Sequence, residues 1–223
     1  MSREKRSSRI EIVSQVMQAN DRLAEENRRL FAQTGVRVID VMGSPGAGKT
    51  ALLEASIRRL KGKKRVGVLA ADIATTRDAE RIAATGVPVV QITTESFGGA
   101  CHLEAGTVRQ ALDRLPLGEL DLLFIENVGN LVCPAEFDIG QHQRVVVLSV
   151  TEGEDKPLKY PLAFREANLV VVSKMDLLPH LEFDLDALYR NIRQIKPEQK
   201  IFKLSAKTGE GLSDWLDWLK AAL

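Results

Sequence analysis

The chain has 223 residues, 44% of them hydrophobic, with 31 basic and 30 acidic side chains and a formal net charge of +1. That length and apolar content suit one α/β domain with a buried core, while the balanced charge gives no basic field of the kind that drives nucleic-acid binding. No apolar run reaches membrane-spanning length and the N-terminus carries no signal h-region, so a cytoplasmic protein without membrane contact is expected, its Cys101 and Cys133 reduced.

Residues 8–33 place Val13, Val16, Met17, Leu23, Ala24, Leu30 and Phe31 at helical spacing with charges between them, which predicts one or two helices packed on a sheet. Gly35 ends this segment. The expected organisation is a single domain over 1–223, made of a helical extension over 1–34 and a nucleotide-binding core over 35–223.

The apolar run Val36 to Met42 feeds Gly43-Ser44-Pro45-Gly46-Ala47-Gly48-Lys49-Thr50, a complete G-x-x-x-x-G-K-[ST] phosphate loop, and the helical pattern from Ala51 to Ile57 leaves it. Strand, loop and helix are the context that motif needs. Gly43, Gly46 and Gly48 let the backbone curl so that the N–H groups of Ser44, Gly46, Ala47, Gly48, Lys49, Thr50 and Ala51 face phosphate oxygens, and Lys49 adds a point charge. Thr50 is placed to ligate Mg²⁺. A nucleoside triphosphate is the expected ligand.

Arg65 to Ala71 reads as a short buried strand with Asp72 at its carboxyl end, the end at which open α/β sheets bind ligands. Asp72 serves either Mg²⁺ or the attacking water, or else it caps the helix that starts near Thr75. Asp78, nearby, has no assigned role. After a further strand at Val87 to Ile92, the segment Gly98-Gly99-Ala100-Cys101-His102 opens a helix expected to run to Leu115. A thiol at a helix N-terminus favours thiolate and metal ligation; a buried cysteine beside a capping histidine is the other reading.

Asp121 to Ile125 is strongly apolar and terminates at Glu126-Asn127-Val128-Gly129. This resembles the D-x-x-G element of GTPases with glutamate in place of aspartate, which would set Glu126 toward Mg²⁺ and the Gly129 N–H toward the γ-phosphate. Cys133 follows four residues later. Arg144 to Val150 and Ala167 to Val172 are near-continuous apolar strands, the signature of a parallel sheet covered on both faces. Between them lies a charged loop in which Lys159 reads as a solvated charge.

Ser173-Lys174-Met175-Asp176 and Ser205-Ala206-Lys207 each follow a strand and resemble the N-K-x-D and S-A-K elements with which GTPases read guanine. On that resemblance Asp176 accepts from N1–H and the 2-amino group, the Ala206 N–H donates to O6, and Lys174 packs over the base. Adenine leaves those polar groups unpaired. Ser173 replaces the asparagine of the pattern, which predicts the loss of a side chain that braces the phosphate loop.

Gly-Ser-Pro-Gly-Ala-Gly-Lys-Thr at 43–50, Gly-Gly-Ala-Cys-His-Leu-Glu-Ala at 98–105, Glu-Asn-Val-Gly-Asn-Leu-Val-Cys-Pro at 126–134 and Glu-Asp-Lys-Pro-Leu-Lys-Tyr-Pro at 154–161 together resemble the HypB family, GTPases that help insert nickel into [NiFe]-hydrogenase. The resemblance spans nearly the whole chain. It implies a three-layer P-loop fold with a mainly parallel sheet, GTP hydrolysis with Lys49, Asp72 and Glu126 in the catalytic site, and Mg²⁺ on Thr50, Asp72 and Glu126. It also implies a homodimer that GTP promotes, Ni²⁺ or Zn²⁺ on Cys101, His102 and Cys133, and Lys159 reaching the nucleotide of the neighbouring subunit. Expected partners are a hydrogenase large-subunit precursor and a HypA-like nickel/zinc accessory protein. The cysteine cluster and histidine-rich tract that some members carry near the N-terminus are not in this sequence, so nickel storage is not expected. A urease-accessory GTPase and a GTP-gated scaffold whose hydrolysis only resets a partner complex are the alternative readings.

Overall fold

The computed structural model describes residues 3–72, 76–94 and 102–222, with the side chains of the first helix from residue 15 onward. Cys101 and the glycines before it lie outside the described residues.

Helix α1 (Arg3–Thr34) is one continuous element and stops where Gly35 turns to φ 73°. The core then alternates strand and helix: β1 (Arg37–Gly43), α2 (Lys49–Leu60), β2 (Val66–Asp72), α3 (Arg77–Ala83), β3 (Val89–Thr93), α4 (Ala105–Leu112) and β4 (Leu122–Gly129). A short helix, α5 (Cys133–Glu136), precedes β5 (Gln143–Ser149). The chain closes with α6 (Lys156–Lys159), α7 (Pro161–Glu166), β6 (Leu169–Ser173), α8 (Leu185–Ile195), β7 (Ile201–Lys203) and α9 (Leu212–Ala222).

Among the described residues the seven strands form one sheet in the order β3-β2-β4-β1-β5-β6-β7, every neighbouring pair parallel. The order reverses around β1, so the loops after β1, β2 and β4 gather at one edge, where ligands of such sheets bind. Strands buried on both faces need apolar residues at successive positions, which is why Leu122 to Ile125 and Val145 to Leu148 are all fully buried. One face carries Ile39, Val41 and Phe124 under α2, α3 and α9, with Trp215 donating its indole N–H to Ser56 at 2.7 Å. The opposite face carries two apolar clusters, one under α1 and α4, the other under α7 and α8. No described helix is long and apolar enough to cross a membrane.

Candidate nucleotide and metal site

The phosphate loop follows directly from β1. A Cβ on Gly43 would fall 2.4 Å from the Val147 carbonyl oxygen, so the first glycine is required by the close approach of β5. Gly46 and Gly48 turn to φ 75° and 95°, conformations that side chains disfavour. Lys49 curls back over the loop, donating to the carbonyls of Gly43 at 3.1 Å and Ser44 at 3.3 Å. Burial lowers its pKa, and the Glu126 carboxylate opposes that shift. Around this loop opens a cavity of about 450 Å³, lined by Lys49, Thr50, Asp72, Glu126 and Gly129 among others.

Glu126 sits in β4 between Val41 of β1 and Ala70 of β2, which points its side chain to the α2 face. The Thr50 hydroxyl donates to its Oε1 at 2.7 Å, while Oε2 is buried with no hydrogen-bond partner among the described residues. Desolvation raises the Glu126 pKa to about 7, against the opposing pull of the Thr50 hydrogen bond and Lys49. A buried acceptor beside the Thr50 hydroxyl, in a cavity that Asp72 also lines, is an all-oxygen donor set that fits Mg²⁺. Gly129 closes the strand: a Cβ there would meet Pro45 of the phosphate loop at 2.8 Å.

A second cavity of about 250 Å³ adjoins the first through Gly48 and Ala51 and is lined by Lys174, Asp176, Ala206 and Lys207. Lys174 is the one non-glycine described residue at positive φ, 59°, and its stem lies over Gly48. Ser205 donates to Asp176 Oδ1 at 2.6 Å and accepts from the Thr208 N–H, which fixes the carboxylate. The expected loss of bracing at Ser173 is corrected here. The Ser173 hydroxyl, fully sequestered at the end of β6, donates to the Ala47 carbonyl at 2.6 Å and braces the phosphate loop itself.

His102 and Cys133 are the described members of the proposed soft-ligand set. Helix α4 begins at Ala105 and ends at Leu112, not at the Cys-His pair and Leu115 as expected, so His102 precedes the helix. The reason is a tertiary contact: Glu104 is extended, and the first helical N–H, that of Ala105, is taken at 2.9 Å by the Asn20 side chain of α1. Half-buried Cys133 opens α5. The His102 ring stacks on Phe137, centroids 3.9 Å apart, so the two candidate-ligand segments touch. Among the described residues no three His, Cys, Asp or Glu side chains converge as a metal cage. Lys159 is exposed, paired with Asp155 at 2.5 Å, and lines neither cavity of its own chain.

Residues 37–203 match the family described as CobW/HypB/UreG, nucleotide-binding domain. The hydrogenase maturation factor HypB of Escherichia coli K12 is 48% identical over 211 residues, 95% of this chain and 72% of that relative. The chain belongs to the HypB family. HypB from Archaeoglobus fulgidus superposes with a TM-score of 0.85 at 38% identity, covering 92% of this chain and 98% of that one. HypB from Helicobacter pylori in complex with nickel gives 0.86 at 39% identity, over 91% and 94%.

Several residues that matter to this HypB-family site were not singled out in the sequence. Arg81 of α3 lines the phosphate cavity with Asp78, to which it pairs at 3.2 Å, and reaches Glu54 of α2 at 2.7 Å. Asn20 and Asn27 of α1 are buried and join the two candidate-ligand segments. Asn27 donates to the carbonyls of Ala105 and Ile139, and Asn20 donates to that of Asp138. The signal was available: two asparagines seven apart on the apolar stripe of a helix are polar groups that must find buried partners. Helix α1 therefore clamps the segments bearing His102 and Cys133, beyond simply covering the sheet.

Proposed function

We propose that this chain is a GTP-hydrolysing metallochaperone that binds Ni²⁺ or Zn²⁺ and helps deliver nickel during hydrogenase maturation, switching with its nucleotide as a homodimer. The observation that carries the reading is the course of β4. A single strand bears Glu126 against Thr50, ends at Gly129 against Pro45, and runs within four residues into Cys133. The names of the relatives support the hydrogenase pathway, and the nickel complex of the Helicobacter pylori protein supports the cargo.

In this reading the loop N–H groups and Lys49 hold the phosphates, Asp72 orients the attacking water, and Asp176 with Ala206 selects guanine. Thr50, Asp72 and Glu126 would hold Mg²⁺, which supplies charge neutralisation on the phosphates. One chain offers Cys101, His102 and Cys133, one short of the four ligands of a closed zinc or square-planar nickel site. A two-fold partner completes the set, and Lys159, exposed and outside its own cavities, would exchange Asp155 for that partner's nucleotide phosphates. The hydrogenase large-subunit precursor and a HypA-like accessory protein are the partners this role requires.

The test is a paired assay on the full chain: phosphate release from GTP, and competition titration with Ni²⁺ and Zn²⁺ against a chromogenic chelator. Lys49→Ala should abolish turnover, and Cys133→Ala should abolish tight metal binding while GTP binding persists. Wild-type metal affinity in Cys133→Ala and His102→Ala alike would leave only a guanine-nucleotide switch.

A further inference from the structure

Asp40 interrupts the apolar run of β1, and it is completely buried in the seam between the two apolar clusters on the α1 face. Arg144, its cross-strand neighbour in β5, is 5% exposed. Its Nε donates to Asp40 Oδ2 at 3.0 Å, and the other Asp40 oxygen accepts from Asn127 Nδ2 at 3.1 Å. The two remaining arms of the guanidinium donate to the carbonyls of Ala135 at 3.3 Å and Phe137 at 2.7 Å. A hydrophobic pair of similar volume commonly stabilises such a seam as well as or better than buried charges do. What a hydrophobic pair does not supply is a link, and here the link is continuous. It runs from Asn127, adjacent to Glu126 and lining the phosphate cavity, through Asp40 and Arg144, to the segment that follows Cys133 and carries the ring on which His102 stacks.

We propose that Arg144 is a positioning residue that transmits nucleotide state to the metal ligands. Resting on the metallochaperone reading above, it identifies how the two sites of that reading communicate. The guanidinium is a planar fork with fixed angles between its donors. A displacement of Asp40 that follows Asn127 must therefore move the Ala135 and Phe137 carbonyls, or break a buried hydrogen bond. Occupancy of Glu126 by the nucleotide's cation is felt at Asn127, the next residue, and so at Cys133 and His102.

The experiment measures Zn²⁺ and Ni²⁺ affinity of the full chain with GDP and with a non-hydrolysable GTP analogue, and takes the ratio as the coupling factor. Arg144→Lys keeps a positive charge opposite Asp40 but cannot serve both carbonyls, and Asn127→Ala cuts the chain at the nucleotide end. Both are expected to bring the factor to within about twofold of one, with Arg144→Lys still binding the analogue without metal. Should Arg144→Lys fail to fold, Asn127→Ala carries the test. A wild-type factor retained in the folded variants overturns the inference and leaves the metallochaperone reading standing. Wild-type protein whose metal binding does not depend on Cys133 overturns the reading and the inference together.

Discussion

Thr50 and Glu126, 76 positions apart, meet across 2.7 Å with the threonine hydroxyl donating to Oε1. Neither residue can be understood alone. Thr50 is delivered by the first turn of α2 and Glu126 by the middle of the sheet, and their contact leaves the second carboxylate oxygen buried without a partner among the described residues, in a side chain that lines the phosphate cavity. That buried oxygen is the atom on which the proposed Mg²⁺ would rest.

The burial of that carboxyl predicts a pH signature. Glu126 ionises near 4.5 in the unfolded chain but only near 7 when buried, so the folded state carries the extra proton between those values and stability falls as pH rises through that window. Glu126→Gln removes the loss. Without nucleotide the variant should be more stable than wild type at pH 8, by up to about 3 kcal/mol, and the difference should shrink toward pH 5. Its Mg²⁺-dependent nucleotide affinity should fall at least tenfold, about 1.4 kcal/mol. Thermal unfolding across pH, with nucleotide titration at pH 8, checks both.

Ser173→Ala removes the hydroxyl that braces Ala47 and leaves a buried carbonyl unpaired. A loss of about 1–3 kcal/mol is expected, shared between chemical-denaturation stability and GDP affinity, with base preference unchanged. Unaltered stability and affinity would show that the hydrogen bond does not support the loop.

Much of this site could be read in the sequence, for a physical reason. The phosphate loop needs glycine where β5 crowds Gly43 and where Gly46 and Gly48 take positive φ, and buried parallel strands display their chemistry just after an apolar run, at the strand end for Asp72 and Ser173 and three residues before it for Glu126. What stayed hidden depends on contacts between distant segments. Ser173 performs the bracing that its replacement of asparagine seemed to forfeit, because Ala47 comes close enough for a short side chain. The start of α4 is set by Asn20, 85 residues earlier, and Asp40 reads as an interruption until Arg144 lies beside it.

Asp176→Asn should lose GTP affinity at least a hundredfold, about 3 kcal/mol, and transfer preference to xanthine nucleotides, since an amide offers a donor where the carboxylate accepts. Wild type should prefer GTP over ATP by a similar factor. Competition with a fluorescent guanine nucleotide measures both. Equal binding of ATP and GTP by wild type would remove the guanine assignment.

Lys159→Ala tests assembly. The exposed lysine is held by Asp155, only one helical turn away, an ion pair of the kind worth little in solvent, so folding stability should change by less than about 0.5 kcal/mol. Dimer formation in response to a GTP analogue should weaken, while GDP-bound mass stays the same. Sedimentation that finds one monomer–dimer balance for analogue, GDP and no nucleotide in wild type would contradict the role.

A metallochaperone switched in this way has its nucleotide and metal sites thermodynamically linked through the end of β4. Calorimetric titration of Ni²⁺ into the wild-type chain loaded with GDP or with GTP analogue, and of each nucleotide into metal-free and metal-loaded protein, measures that linkage in both directions. The predicted result is a difference in metal affinity between the two nucleotide states of at least about fivefold, matched by the same factor in the metal's effect on relative nucleotide affinity. Metal affinity that is tight yet identical with GDP, GTP analogue and no nucleotide would contradict it.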